Sequence, residues 1–310
     1  MKHTIAFYNI ENLFDTVDDP HTNDDDFLPT SEKRWTEKRY QKKLNKLGSV
    51  ICKIGKNEKH TPSIVGLAEL ENAFVLKGLL KSEKLAALNY GFVHYDSMDE
   101  RGIDVALLYN KDVFKVLSSE TFKVHLEDDG EVDYTRDILL VSGELDGELV
   151  HVIVNHWPSR REGEVLSAPK RMLAAEKVLY VISQLKTEYQ DPKIIVMGDF
   201  NDNPSDASIK KLVNDGVLFN PMETLLSIDK GSLSYNFEWN LFDQILCSIN
   251  FMETKSGALK YKTVAVYNDK FLTQYDGKYE GQPFRTYVGK KYKGGFSDHF
   301  PVYIKLKKVD

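Results

Sequence analysis

Met197-Gly198-Asp199-Phe200-Asn201-Asp202-Asn203-Pro204 joins an apolar run to a turn, and the fold is read outward from it. Ahead of it Pro192-Lys193-Ile194-Ile195-Val196 reads as a buried strand, and behind it Asn203-Pro204-Ser205-Asp206 reads as a turn. Gly-Asp-Phe-Asn therefore stands at a strand's carboxyl end, where an α/β sheet opens to ligands. Asp199 and Asn201, two residues apart, are expected to point the same way there.

Composition bounds the rest. The 310 residues are 42% hydrophobic, enough for one large domain spanning 1–310 with a substantial core. Lys+Arg 41 against Asp+Glu 47 gives a net charge of −6, so no overall positive field holds a polyanion, and a nucleic-acid role needs a local basic patch and a bound cation. Cys52 and Cys247 lie in apolar segments and are expected as core thiols, and no Cys/His spacing suggests zinc. No apolar run approaches a membrane span. Met1-Lys2-His3-Thr4-Ile5 enters a strand without a signal-peptide core, so a soluble monomer is expected, cytoplasmic, or exported if a signal was removed.

Along the chain, strands end repeatedly in polar residues. Thr4–Ile10 alternates Ile5, Phe7 and Asn9 on one face, and Asn9 and Glu11 are expected to share that face where the strand runs out. Asp24-Asp25-Asp26 reads as a solvated acidic loop, with calcium as the less favoured alternative. Leu44, Leu47, Ile51 and Ile54 recur at helical spacing from Thr36 to about Ile54. Lys33, Arg34, Lys38, Arg39, Lys42, Lys43 and Lys46, with Trp35 and Tyr40 interleaved, decorate the other side, which reads as a solvated face or, less readily, a nucleic-acid-facing one.

Pro62–Glu69 is a second buried strand ending on a carboxylate, and strands follow at about 90 to 96 and 103 to 109. A hairpin is expected around Leu145-Asp146-Gly147-Glu148. Its second arm runs into Asn155-His156-Trp157-Pro158-Ser159-Arg160, where the proline stops the ladder and leaves His156, Ser159 and Arg160 at a rim as candidate phosphate contacts. Ser167-Ala168-Pro169 is read as opening a helix. Asp243 falls inside the apolar strand Leu241–Cys247, costly unless a partner holds it, and Asp298-His299 precede the last strand.

Oxygen donors with few nitrogens suit Mg²⁺ or Mn²⁺, with Glu69 as first ligand and Glu11 and Asp298 in support. Asp243 suits His299 as the carboxylate that fixes an imidazole and stabilises its cation. Phosphodiester cleavage needs an aimed water, neutralised phosphoryl oxygens and help for the departing alkoxide, and this set supplies all three.

Asn9-Ile10-Glu11, Leu67-Ala68-Glu69, His156, Gly198-Asp199-Phe200-Asn201, Phe242-Asp243-Gln244 and Ser297-Asp298-His299, in this order, resemble the stations of the endonuclease/exonuclease/phosphatase superfamily. The resemblance runs from Tyr8 to Val302 and leans to its bacterial nuclease-like branch. It implies a DNase I-like four-layer α/β sandwich, two packed and mainly antiparallel sheets flanked by helices, with the site at one end. It implies Glu69 as principal metal ligand with Glu11 and Asp298 near the metal, and Asn9 as a phosphate or metal-water contact. Asp199 would orient or deprotonate the attacking water, Asn201 would bind phosphate, His299 oriented by Asp243 would contact the scissile phosphate, and His156 would lie against the phosphate or leaving group. One departure is Ala68, where the family commonly has glutamine. The implied activity is a metal-dependent phosphodiester hydrolase, most readily a nuclease. A phosphatase of small phosphoesters such as inositol phosphates or lipid head groups is the alternative, and a non-catalytic binding module on the same fold is a third reading. Arg285, Lys290, Lys291 and Lys293, with Tyr287 and Tyr292 between them, form either a phosphate track or a solvated surface.

Overall fold

The computed structural model describes residues 2–55, 60–128, 130–161 and 163–309. In chain order, β1 (Lys2–Leu13), β2 (Ile64–Leu70), β3 (Tyr90–His94) and β4 (Asp104–Asn110) begin one sheet. A second sheet follows as β5 (Phe114–Phe122), β6 (Ile138–Leu145), β7 (Glu148–His156), β8 (Lys193–Asp199), β9 (Leu218–Phe219) and β10 (Asp243–Ser248). The chain then returns to the first sheet as β11 (Leu259–Val266) and β12 (Val302–Lys308). The strand orders are β11-β12-β1-β2-β4-β3 and β9-β10-β8-β7-β6-β5.

Each sheet holds one parallel pair at its centre, β1 with β2 and β7 with β8, and the remaining pairings are antiparallel. A parallel pair needs a long crossover. Helix α1 (Glu37–Ile51) lies in the first and α3 (Glu164–Glu188) in the second; α2 (Ala73–Leu80) and α4 (Ala207–Asn214) complete the main helices.

Three apolar layers follow from strands buried on both faces. Ile5, Phe7 and Ala68 meet Val152, Val154, Ile195 and Met197 between the sheets. Tyr8, Ile10 and Leu67 face Leu44, Leu47 and Leu76 on one outside, while Ile153 and Val196 face Val178, Val181 and Leu212 on the other. Helix, sheet, sheet and helix thus stack as expected, and continuous apolar runs such as Ile194–Met197 exist because neither face of those strands meets water. Gly198 is required by close approach: a Cβ there would lie 2.4 Å from the Asn155 carbonyl oxygen on β7.

Several local expectations hold and some are revised. The hairpin at Asp146-Gly147 forms with both residues at positive φ, 54° and 82°, as a two-residue turn between right-twisted strands demands. Both cysteines are buried. Helix α3 begins at Glu164, ahead of the expected Ser167 start, and carries Pro169 inside. The extra turn is held because Ser167 Oγ donates to the Gly163 carbonyl at 2.7 Å, while Arg171 donates to Ser167 Oγ at 2.7 Å and to the Glu164 carbonyl at 3.2 Å. Trp35, Tyr40 and Lys43 are buried rather than spread over a solvated face. Asp243 is the first residue of its strand, not an interior one, because antiparallel β10 starts where β8 ends, with Asp199 opposite Asp243.

Candidate active site

The polar strand ends gather at one end of the sandwich. Asn9 prolongs the Ile5/Phe7 face and Asp199 the Ile195/Met197 face, so the two meet between the sheets, and Asn9 Nδ2 donates to Asp199 Oδ2 at 2.9 Å. The same carboxylate oxygen lies 3.8 Å from His156 Nε2 and 3.9 Å from His299 Nε2. Three nitrogens from three elements thus converge on one oxygen. The other oxygen of Asp199 accepts from the Asn201 backbone N–H at 3.0 Å, and Asn201 Nδ2 donates to the Trp157 carbonyl at 2.9 Å, tying the ends of β7 and β8 together.

Simple alternation does not aim the two glutamates. The β1–β2 register shifts between Asn9 and Leu13, the β2–β4 register shifts between Ala68 and Leu70, and Glu11, Asn12 and Glu69 have φ of 51°, 50° and 64°. Such bulges re-aim side chains, and left-handed backbone at a non-glycine residue persists only where the surroundings enforce it. Glu11, expected on the Asn9 face, turns instead to the Thr286 N–H, which donates to it at 2.6 Å. Glu69 turns back toward His156, its Oε1 3.9 Å from Nε2, while its Oε2 accepts from the Asn12 N–H at 3.0 Å. Ala68 has no side-chain amide to offer, so among the described residues the Asn12 backbone N–H is what holds the Glu69 carboxylate.

Burial sets the charges. Asp243 is fully buried, and its Oδ2 accepts from His299 Nδ1 at 2.7 Å. Burial alone would lower the His299 pKa, but the charges and hydrogen bond of Asp243, with Asp199 and Asp298 beyond, hold it well above the usual imidazole value. The His156 imidazole is driven the other way by burial and by Arg136 and Arg101, well below its usual value. One imidazolium and one neutral imidazole therefore flank Asp199. Burial pushes Asp199 up to about 6, with Asp243 adding to the rise and His299 opposing it. Burial and the charge of Asp298 push Glu11 up to about 7. In Asp298, burial is outweighed by His299 and by the Arg285 guanidinium bonded to it, and its pKa falls.

The donor set fits a hard divalent cation. Glu69 Oε1 accepts no hydrogen bond from the described residues, so it presents a free carboxylate oxygen beside the cleft, with the His156 Nε2 nitrogen 3.9 Å away. Glu11 and Asp298 are more committed: Lys43 Nζ lies 3.8 Å from Glu11, and Arg285 binds Asp298 and approaches Glu11 at 3.9 Å. Glu69, Glu11 and Asp298 are not brought within one ion's reach of one another; among the described residues the groups that stand so close are Asp199, Asp243 and His299, and His94, Asp96 and Asp104. In the first of these the short Asp243–His299 contact reads as an ion pair rather than a ligand set. Asp24 and Asp26 are engaged elsewhere, accepting from the Asp19 N–H at 3.2 Å and pairing with Lys33 at 2.9 Å.

Ser159 is half-buried in a groove with Arg101, Arg136 and Arg161 beyond His156. Arg160, expected as a phosphate contact, instead donates to the Asn201 carbonyl at 2.7 Å, Asp202 at 2.8 Å and Asp206 at 2.6 Å. Three acceptors on one loop outcompete a ligand for that guanidinium. In the basic loop, Arg285 is bound to Asp298, Lys290 pairs with Glu32, the Tyr287 hydroxyl donates to the Lys33 carbonyl at 3.1 Å, and Tyr292 lies under Arg39.

Lys43, Thr286 and Arg101 escape a reading by motif. Lys43 donates to the Glu11 carbonyl at 3.0 Å and to Thr286 Oγ1, and Arg101 donates to Asn12 Oδ1 at 2.6 Å. For Lys43 a signal existed: Tyr40, Lys43, Leu44, Leu47 and Val50 form one helical stripe, which puts the lysine on the buried side. A cavity of about 600 Å³ lies by Asp191, Pro192 and Ile249, at the opposite end of β8 from Asp199, and takes no part in this chemistry.

No curated protein matches the chain. Its fold is similar to an endonuclease/exonuclease/phosphatase family protein from Bacteroides thetaiotaomicron, at TM-score 0.61 and 18% identity over 99% of this chain and 95% of that one. Truncated TDP2 from Caenorhabditis elegans gives 0.61 and 16% over 98% and 97%, and a Bacteroides thetaiotaomicron mannosyl-6-phosphatase gives 0.59 and 18% over 98% and 99%. Residues 4–308 match the profile of the Endonuclease/Exonuclease/phosphatase family, so the chain belongs to that family of phosphoester hydrolases.

Proposed function

We propose that the protein is a Mg²⁺- or Mn²⁺-dependent phosphodiester hydrolase whose most suitable substrates are nucleic acids or their nucleotide fragments. The convergence of Asn9 Nδ2, His156 Nε2 and His299 Nε2 on Asp199 Oδ2 carries this reading. A phosphoryl group entering there meets an amide donor and an imidazolium, and it meets a carboxylate able to take a proton from water. Asp199, raised to about 6, is ionised at neutral pH yet basic enough to accept that proton. His299, kept cationic by Asp243, neutralises charge growing on the phosphoryl oxygens. Asn201, fixed between Asp199 and Trp157, and Asn9 hold the phosphate in line. Glu69, supported by Glu11 and Asp298, would hold the cation, which supplies Lewis acidity at the phosphoryl and departing oxygens.

A second reading, hydrolysis of small phosphoesters, is favoured by the net charge of −6 and by the engagement of Arg285 and Lys290 with Asp298 and Glu32, which thins the supposed phosphate track. Incubating the protein with plasmid DNA, RNA, dinucleotides and a panel of soluble phosphoesters, with Mn²⁺ and with chelator, separates the two. Cleavage of the nucleotide substrates that chelator abolishes is expected. Turnover confined to the non-nucleotide panel would replace the first reading with the second, and no turnover of anything would reject both.

A further inference from the structure

Beside the reaction centre the chain builds an aromatic surface that folding alone does not ask for. The strands Leu233–Tyr235 and Glu238–Asn240 form a hairpin closed by Asn236-Phe237, with φ of 48° and 68°. A two-residue turn of this kind calls for glycine at its second position, and a bulky side chain at positive φ is strained. Phe237 nevertheless occupies it, 49% exposed, with its ring stacked on Tyr279 at 5.5 Å and 8°. Lys278 Nζ lies over the Phe237 ring at 4.7 Å.

These groups line a groove of about 280 Å³ that reaches Arg285 and Asp298 and so opens directly onto the carboxylate end of the reaction centre. Gln274 and Gln282 also line it, and the Ser234 hydroxyl there is buried with no hydrogen-bond partner among the described residues. The hairpin is anchored to the chemistry: Leu233 bridges His299, and Ser232 Oγ accepts from the Asp243 N–H at 3.2 Å. Strain held at an exposed ring, next to a site, points to use by a ligand.

Building on the phosphoesterase reading, we propose that this groove receives the base of a nucleotide whose phosphate occupies the reaction centre, the base lying against the Phe237–Tyr279 ring pair. A flat π surface, amide side chains that can donate and accept, and the cations Lys278 and Arg285 match the base, its polar edge and its phosphate charge respectively. A sugar phosphate offers no comparable face.

Calorimetric titration of the Asp199→Ala protein in Mg²⁺ with AMP and with ribose 5-phosphate tests this without turnover. AMP is expected to bind at least about fivefold more tightly, since stacking on an aromatic side chain contributes that much or more. Adding Phe237→Gly or Tyr279→Ala is expected to reduce the preference to below about twofold. Phe237→Gly in the otherwise unaltered protein should also raise the melting temperature, because glycine relaxes the turn. Equal affinities, absent AMP binding, or a preference that survives both ring removals would overturn the proposal. The phosphoester panel judges the hydrolase reading separately: turnover there without base preference sinks only the groove, and base preference without turnover sinks only the hydrolase.

Discussion

Asp199 is held by opposing influences, and each can be removed in turn. Asn9 donates a hydrogen bond to its carboxylate and so favours the ionised form. Asn9→Ala should therefore raise the Asp199 pKa and move the acid limb of kcat/KM upward by roughly half a unit. Asp243 acts on both limbs. Its negative charge raises Asp199 and holds His299 cationic, so Asp243→Asn should lower both pKa values and shift the whole bell toward acid. A profile that stays in place in both variants would remove Asp199 as base and His299 as cation. Asp199→Ala and His299→Ala should each lower turnover at least about a hundredfold with folding retained, as judged by circular dichroism. At this scale the sequence was informative wherever physics forces a partner: a carboxylate in an apolar strand has to find a cation, and Asp243 found His299. It was less direct for Lys43, one charge in a run, whose burial shows only once the helical stripe of Tyr40, Leu44, Leu47 and Val50 is traced through it.

Strands and helices were largely readable from apolar runs, yet what aims Glu11 and Glu69 was not. Alternation assumes extended backbone throughout, and both glutamates sit at register shifts with left-handed φ. In Asn9-Ile10-Glu11-Asn12 only Asn12 hints at left-handed backbone, since asparagine visits it readily, whereas glutamate is no habitual occupant of that conformation. Glu69→Ala should leave the strand paired while raising the Mn²⁺ concentration for half-maximal activity, and an unchanged metal dependence would remove Glu69 as a ligand. Gly198 makes a sharper test of element packing. An added Cβ would meet the backbone of β7 at Asn155, which cannot yield as a flexible side chain would. Gly198→Ala should destabilise by about 2 kcal/mol or more, read as a lower melting temperature together with lost activity, because β7 and β8 carry His156 and Asp199 side by side.

Over the whole molecule, the fold was legible because its stations keep their order along the chain, while the pairing of strands far apart in sequence was not. Among the described residues no helix is long and apolar enough to cross a membrane. The second sheet, residues 114 to 248, is one continuous length set between the two portions of the first. Strand β12 closes the first sheet by pairing with β1, Ile5 opposite Ile304 and Phe7 opposite Val302, and the residues just before β12 bring in His299. Asp243 and Asp199 can therefore be in place on their own sheet while the imidazole they require is still unattached. After dilution from denaturant, the far-ultraviolet signal of the nested sheet should return ahead of catalysis, with competence appearing only when the outermost lap of the chain closes over it.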